Sequence, residues 1–303
     1  MNKGRKSLVV SIGRIFQLIP PFFFNWIEIF FYKRDLKRYP IIVVVSTPRS
    51  GSTLTYQILS RGTQSVFLTN LSNLLYSMPL IGGLLSMRNV KVNNEFLSDR
   101  GLVSGIYGEA EGLKFWEYWC GQGLEDYDKE MPIKRVKYLR KIFGRLLKSD
   151  RPMMSGYLGH SLSINNLRKM FPGIIFIYLK RDKLSNIYSM YNTGKNFDWF
   201  SLKPKGWEQS LKLPIHERFV WQYNKIVSKI ENEISDKDTL VVNYEAICEK
   251  PKQFLNEVKT FSAKHDINLK LNLYNIPESF NVKKIVPNHD EDSIIIHKIL
   301  LNE

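Results

Sequence analysis

Three short apolar runs, each handing over to a helix-like stretch, constrain this chain more than any other feature. "IIVVVS" (Ile41–Ser46), "GIIFIYLK" (173–180) and "TLVVNY" (239–244) are rich in Val, Ile and aromatic residues and lack an apolar–polar alternation. A strand with one wet face alternates. A strand covered on both faces reads as a continuous apolar run, the condition of a parallel sheet lying between helices. Helical spacing follows each run, over 53–60, 184–191 and 251–261, and Pro251 suits a first helical turn. Strand followed by helix, repeated along the chain, predicts right-handed βαβ units. The expected fold is therefore a three-layer, P-loop-like α/β architecture with a central, mostly parallel sheet flanked by helices. No repeat, low-complexity tract or linker divides residues 39–303, which are read as one domain.

Residues 1–38 differ from the rest. The stretch 7–38 is rich in Phe and Ile, but Arg14, the Pro20–Pro21 pair and Glu28 leave no uncharged run of the roughly eighteen residues a bilayer-spanning helix needs. A basic start precedes the apolar run, yet no clean small-residue cleavage site follows it. Two readings fit. Either short amphipathic helices dock on the domain, or the segment makes peripheral contact with a membrane surface. In the second reading, which we favour, Phe22, Phe23, Phe24, Trp26, Phe30 and Phe31 insert while Lys33, Arg34, Lys37 and Arg38 face head groups. The expected location is the cytoplasm, peripheral at the membrane surface.

Charge narrows the partners. Lys and Arg number 44 against 29 Asp and Glu, a net charge of +15, so the partner is expected to be anionic. The cations are scattered rather than gathered into a patch interleaved with aromatics, and no nucleic-acid module is recognisable; nucleic acid is not expected. Cys120 and Cys248 stand far apart, without a CxxC or a His-rich companion, so neither a disulfide framework nor a metal site is expected.

Between the first run and its helix lies "TPRSGST", residues 47–53. A buried strand, a tight turn at Ser50, Gly51, Ser52 and Thr53, and a helix N-terminus bring several backbone N–H groups around one small space, which suits a phosphate. Gly51 permits close backbone approach, and the hydroxyls add donors. An ordinary βα turn capped by Ser or Thr fits the same residues. A Walker A loop does not, because no lysine follows the glycine.

"TPRSGST" resembles the 5′-phosphosulfate-binding loop of sulfotransferases that use 3′-phosphoadenosine 5′-phosphosulfate (PAPS). The same family carries a strand ending in an Arg with a Ser eight positions later, and "FIYLKRDKLSNIYSMY" supplies Arg181 and Ser189 at that spacing. "LVVNYEAICEKP" (240–251) is similar to a third family stretch. The resemblance covers roughly 39–261. It implies transfer of a sulfuryl group from PAPS to a hydroxyl or amine, with adenosine 3′,5′-bisphosphate as the other product and no metal. Arg49, Ser50, Gly51, Ser52 and Thr53 would hold the reactive phosphate end, and Arg181 with Ser189 the ribose side. Arg49 would also contact the bridging oxygen as a catalytic group. Lys183 stands where a proline often follows the Arg–Asp pair, and Gly156 where many relatives carry a lysine. The C-terminal Gly-rich loop of the cytosolic small-phenol branch is missing, so the likeness is to the bacterial carbohydrate- and lipid-type branch. A small-molecule, glycan or lipid acceptor is implied.

The general base is read from two stretches. "YGEAEGLKFWEYW" (107–119) offers Glu109 and Glu111 and is similar to a stretch of a bacterial sulfotransferase branch, which favours Glu111; "SGYLGHSLSINNLRKMFP" (155–172) offers His160, near the place of the catalytic histidine in cytosolic relatives. Both are expected to line the site, Glu111 as base and His160 polarising the acceptor or the transferring sulfonate. The aromatic run at Phe115, Trp116, Tyr118 and Trp119 reads as core. Two other classes fit the residues: a metal-dependent phosphotransferase, for which Glu245 is the strand-end acid, and a catalytically silent protein that retains the nucleotide pocket.

Overall fold

The structure, a computed structural model, describes residues 35–89, 96–98, 103–125, 131–197, 201–282 and 284–302. The membrane-interface expectation for 7–38 therefore lies, apart from 35–38, outside the described residues. Within them no helix is long and apolar enough to cross a membrane. The elements run β1 (Ile41–Ser46), α1 (Ser52–Gly62), β2 (Val66–Phe67), α2 (Asn70–Leu74), α3 (Pro79–Asn89), α4 (Leu113–Cys120), α5 (Ile133–Leu146) and β3 (Met153–Ser155). A 3₁₀ turn (Leu158–Leu162) and α6 (Ile164–Met170) lead to β4 (Ile175–Lys180) and α7 (Lys183–Gly194). The chain ends with α8 (Trp207–Ser210), α9 (Ile215–Glu233), β5 (Thr239–Asn243), α10 (Tyr244–Glu249), α11 (Pro251–Ala263) and α12 (Glu291–Leu301).

The five strands form one parallel sheet in the order β2-β3-β1-β4-β5. All six residues of β1 are buried, and the reason is visible in which layer each side chain joins. Ile41, Val43 and Val45 point to the face covered by α4, α5, α6 and α9, where they meet Trp116, Leu139, Phe143, Leu167 and Ile226. Ile42 and Val44 point to the opposite face and pack with Ile58 and Leu59 of α1 and Leu255 and Val258 of α11. Each such aliphatic side chain contributes about 1.5–3 kcal/mol by leaving water. The expected three-layer α/β fold is the observed one. Phe115, Trp116 and Trp119 are almost wholly buried in the first layer, as core.

Topology places the site. β1 sits between β3 and β4, with Val43 opposite both Ser155 and Phe176. From β1 the chain leaves over one face through α1; from β4 it leaves toward the other, through α7 and α9. Neighbouring parallel strands whose connections part in this way open a crevice at their carboxyl ends, the usual ligand position in open α/β sheets. The segments following β1 and β4 are the two that carry Arg49 and Arg181.

Candidate active site

The loop after β1 is held by side chains far away in sequence. At its base, Ser161 Oγ in the 3₁₀ turn accepts from Ser46 N and donates to Ser46 O, both at 2.9 Å. Next, Asn186 of α7, fully buried, donates from Nδ2 to Pro48 O at 2.7 Å, and its Oδ1 accepts from Thr47 Oγ1. Arg49 then adopts φ +60°, a left-handed conformation that residues carrying a Cβ rarely adopt. Arg181 stabilises that conformation: its Nη1 donates to Arg49 O at 2.7 Å. The Arg49 Nε in turn donates to Ser189 Oγ at 3.4 Å.

Gly51 follows at φ +94° as the N-cap of α1, with no side-chain cap on the helix. The Ser or Thr capping reading of this turn is thereby replaced by a glycine cap that leaves the first-turn N–H groups without a capping side chain. A Cβ at Gly51 would lie 2.1 Å from Cε2 of Tyr244, so both the backbone angle and the space demand glycine. Ser50 Oγ is buried and makes no hydrogen bond among the described residues. A helix N-terminus with unclaimed donors, an adjoining guanidinium and a glycine at the point of closest approach form an anion cradle.

The cradle opens into a cavity of about 370 Å³. Arg49, Gly51, Ser52 and Thr53 line it from the loop and α1, Arg181 and Tyr244 from the ends of β4 and β5, and Glu111 from the turn before α4. The Arg181 guanidinium lies over the Tyr244 ring at 5.2 Å. Leu54, Leu124 and Leu158 supply apolar wall. Loop and strand-end arginine thus face one space; Ser50 and Ser189 do not line it, Ser50 lying buried beneath the loop and Ser189 accepting from Arg49.

The two acids of the Gly-flanked turn have different surroundings. Glu109 is buried and forms a two-point ion pair with Arg61 of α1, Oε1 to Nε at 2.5 Å and Oε2 to Nη2 at 3.0 Å, while the Arg61 guanidinium also lies over the Phe96 ring. Among the described residues Glu111 has no such cation. Burial raises its carboxyl pKa to about 7, partly offset by a hydrogen bond from the Leu158 backbone. Its position is fixed on either side: Ala110 N donates to Leu68 O at 2.8 Å, and Gly112 takes φ +81°, where a Cβ would fall 2.3 Å from Leu68 Cδ1.

His160 is placed differently from the sequence expectation. It does not line the cavity. The ring is completely buried, with Nε2 2.8 Å from Ser155 Oγ and Nδ1 2.9 Å from Gln122 Oε1, and stands edge-on to Trp116 and Tyr157. Burial lowers its pKa to about 3, so it is neutral at physiological pH. Both nitrogens already have protein partners, and the imidazole ties β3 and the 3₁₀ turn to the end of α4. Glu245, the acid that the phosphotransferase alternative would use, bonds the backbone instead. Its Oε1 accepts from Asp182 N at 3.1 Å, fixing the residue after Arg181.

Asn186 and Ser161 gave no sequence signal, because their partners lie more than a hundred residues away. Tyr244 belongs to the "LVVNYEAICEKP" stretch, but nothing in that motif shows an aromatic wedged between a glycine cap and an arginine.

The sequence profile of the Sulfotransferase family matches residues 40–262. No protein of curated function matches the sequence. Among solved structures, the chain resembles sulfotransferase STF9 from Mycobacterium avium at 14% identity, covering 88% of this chain and 69% of that one, with a TM-score of 0.48. It also resembles the sulfotransferase domain from the curacin biosynthetic pathway, at 15% identity over 89% and 99% of the two chains and a TM-score of 0.44. A sulfotransferase from Alicyclobacillus acidocaldarius gives 12% identity, 88% and 97% coverage and a TM-score of 0.41. The profile match runs from the residue before β1 almost to the end of α11, and on that ground this chain belongs to the sulfotransferase family.

Proposed function

We propose that the protein transfers a sulfuryl group from PAPS to a hydroxyl or amine of a carbohydrate or lipid acceptor, with Glu111 as general base. The single observation that carries this reading is the convergence of Arg49, the uncapped α1 N-terminus, Arg181 and Glu111 on one cavity. The residues suit a doubly phosphorylated nucleotide: the first-turn N–H groups, Ser50, Ser52 and Thr53 at its 5′ end, and Arg181 with Ser189 at its 3′ end. PAPS supplies the sulfuryl group, and its 5′-phosphate is the leaving group.

In-line displacement then divides the work among this chain's residues. Glu111 takes the proton of the acceptor as its oxygen or nitrogen forms the new bond to sulfur. A carboxyl held near pH 7 is well matched to that task, since it is both partly ionised and basic enough to accept a proton at neutral pH. Arg49 and the loop N–H groups neutralise the charge that gathers on the departing phosphate oxygen as the S–O bond breaks. The fixed loop holds these donors in place beforehand, so little reorganisation accompanies the reaction.

Calorimetric titration with adenosine 3′,5′-bisphosphate in EDTA tests the donor site. Binding that is weakened at least tenfold by Arg181→Ala is expected, followed by label transfer from PAPS to members of an acceptor panel. Binding of ATP that needs Mg²⁺, with none of the bisphosphate, would instead identify a phosphotransferase. Bisphosphate binding with no transfer to any acceptor would identify a silent nucleotide-binding protein.

A further inference from the structure

Helix α5 has two contrasting faces. Val136, Leu139, Ile142, Phe143 and Leu146 are buried against the sheet layer. The opposite side exposes Lys134, Lys137, Lys141 and Arg145, with Lys148 just beyond the end, while Arg135 turns back to donate to Tyr118 O at 2.9 Å. Residues 133–149 contain no acid. Lys137, Lys141 and Arg145 follow one another at i, i+4 spacing, an arrangement in which like charges weaken a helix by a few tenths of a kcal/mol per pair. A helix face built only for solvation and local stability mixes both signs. This one, about 21 Å long for its 14 residues, carries one.

Apolar groups flank the row. α3 packs against α5 so closely that a Cβ on Gly83 would lie 2.8 Å from Leu146 Cδ1, and the next residues of α3, Leu84 and Leu85, are 40% and 36% exposed. Ile133, at the start of α5, is 59% exposed. The described chain begins against the same helix: Asp35 pairs with Arg140 at 3.0 Å, and Arg140 Nε donates to the Tyr39 hydroxyl at 3.1 Å. A soluble polyanion would engage the cations and leave the leucines unused. An anionic bilayer engages both, with cations at the phosphate level and apolar side chains below it.

We propose that the outer face of α5, with Leu84 and Leu85 at its edge, docks on the surface of an anionic phospholipid bilayer. The proposal does not depend on the sulfuryl-transfer reading. It is tested by co-sedimenting the full-length protein with phosphatidylcholine vesicles and with vesicles containing about one-third phosphatidylglycerol, comparing wild type with a Lys137→Gln, Arg145→Gln, Lys148→Gln triple variant. A cation near an anionic membrane contributes about fivefold to partitioning, so the triple variant is expected to lose about a hundredfold on anionic vesicles. Its thermal midpoint and adenosine bisphosphate binding should stay unchanged, and Lys137→Arg with Lys148→Arg should keep the vesicle binding. Absence of wild-type binding to anionic vesicles, equal binding to neutral ones, or full binding by the triple variant would each overturn the proposal. So would a triple variant that loses soluble polyphosphate but keeps vesicles.

Discussion

Replacing Glu111 by glutamine separates two effects that usually travel together, activity and stability. A carboxyl with a folded-state pKa near 7 holds its proton more tightly in the native protein than in the unfolded chain, where the ordinary value is 4.5. The stabilisation this gives is complete below about pH 4.5 and is lost as pH rises through about 7. At roughly 1.4 kcal/mol per pH unit, the ionised carboxylate costs the fold up to about 3 kcal/mol at pH 8. That is an upper figure, because one side of Glu111 faces the cavity and keeps some water. Glutamine preserves the shape without the charge. Glu111→Gln should therefore match wild type in urea unfolding at pH 4.5 and exceed it by as much as about 3 kcal/mol at pH 8. The same substitution removes the base, so transfer of label from PAPS should fall about 10²–10⁴-fold. In wild type, kcat/KM should rise with pH through an inflection near 7. A variant that keeps its activity, or whose stability advantage is the same at both pH values, would refute the assignment of Glu111 as a partly buried base.

Gly51→Ala combines a left-handed backbone with a Cβ 2.1 Å from the Tyr244 ring; the backbone alone costs about 1–2 kcal/mol, and urea unfolding together with bisphosphate titration should show losses of both stability and donor affinity. His160→Ala empties a fully buried position and strands Ser155 and Gln122, which should cost about 2–4 kcal/mol in unfolding measurements. The pH at which kcat/KM inflects should nevertheless stay near 7; a shift of that inflection would return the histidine to the chemistry. Glu109→Gln leaves Arg61 buried beside a neutral partner and should destabilise by about 3–5 kcal/mol, whereas pairing Glu109→Leu with Arg61→Met should recover most of it, both read by urea midpoint.

The parts of the fold legible in the sequence are those governed by burial along a continuous segment. β1 and β4 announce themselves because side chains on two faces enter apolar layers, leaving no polar alternation; β5 carries a similar apolar run, but it is an edge strand with Val241 48% exposed, so the expectation that both its faces are covered is corrected. β2 and β3 are two and three residues long and carry too little pattern to stand out. The loop at 47–53 is legible for a related reason: a glycine at a strand-to-helix junction, followed by hydroxyls, is local chemistry. Glu109 and Glu111 are another matter. Two residues apart in the same turn, they share a local context, and only the cation across the fold, Arg61, commits one to structure while the other faces the cavity. His160 fails for the same cause. Its neighbours in sequence say nothing of Gln122 and Trp116, which hold the ring buried and away from the cavity it was expected to line.

The strained angle at Arg49 is supported from outside residues 47–53, by Arg181 on its carbonyl, Asn186 on Pro48 and Ser161 on Ser46. A residue held at positive φ costs about 1–2 kcal/mol, and one well-made buried hydrogen bond contributes about that much. The balance at Arg49 therefore rests on a few distant bonds, and the donors reach the cavity only while those bonds hold. Arg181 accordingly has two tasks at once, presenting its guanidinium to the cavity and fixing the backbone of the arginine beside it. Its own placement depends on Tyr244 beneath the guanidinium and on Glu245 accepting from Asp182, so the ends of β1, β4 and β5 set the geometry jointly.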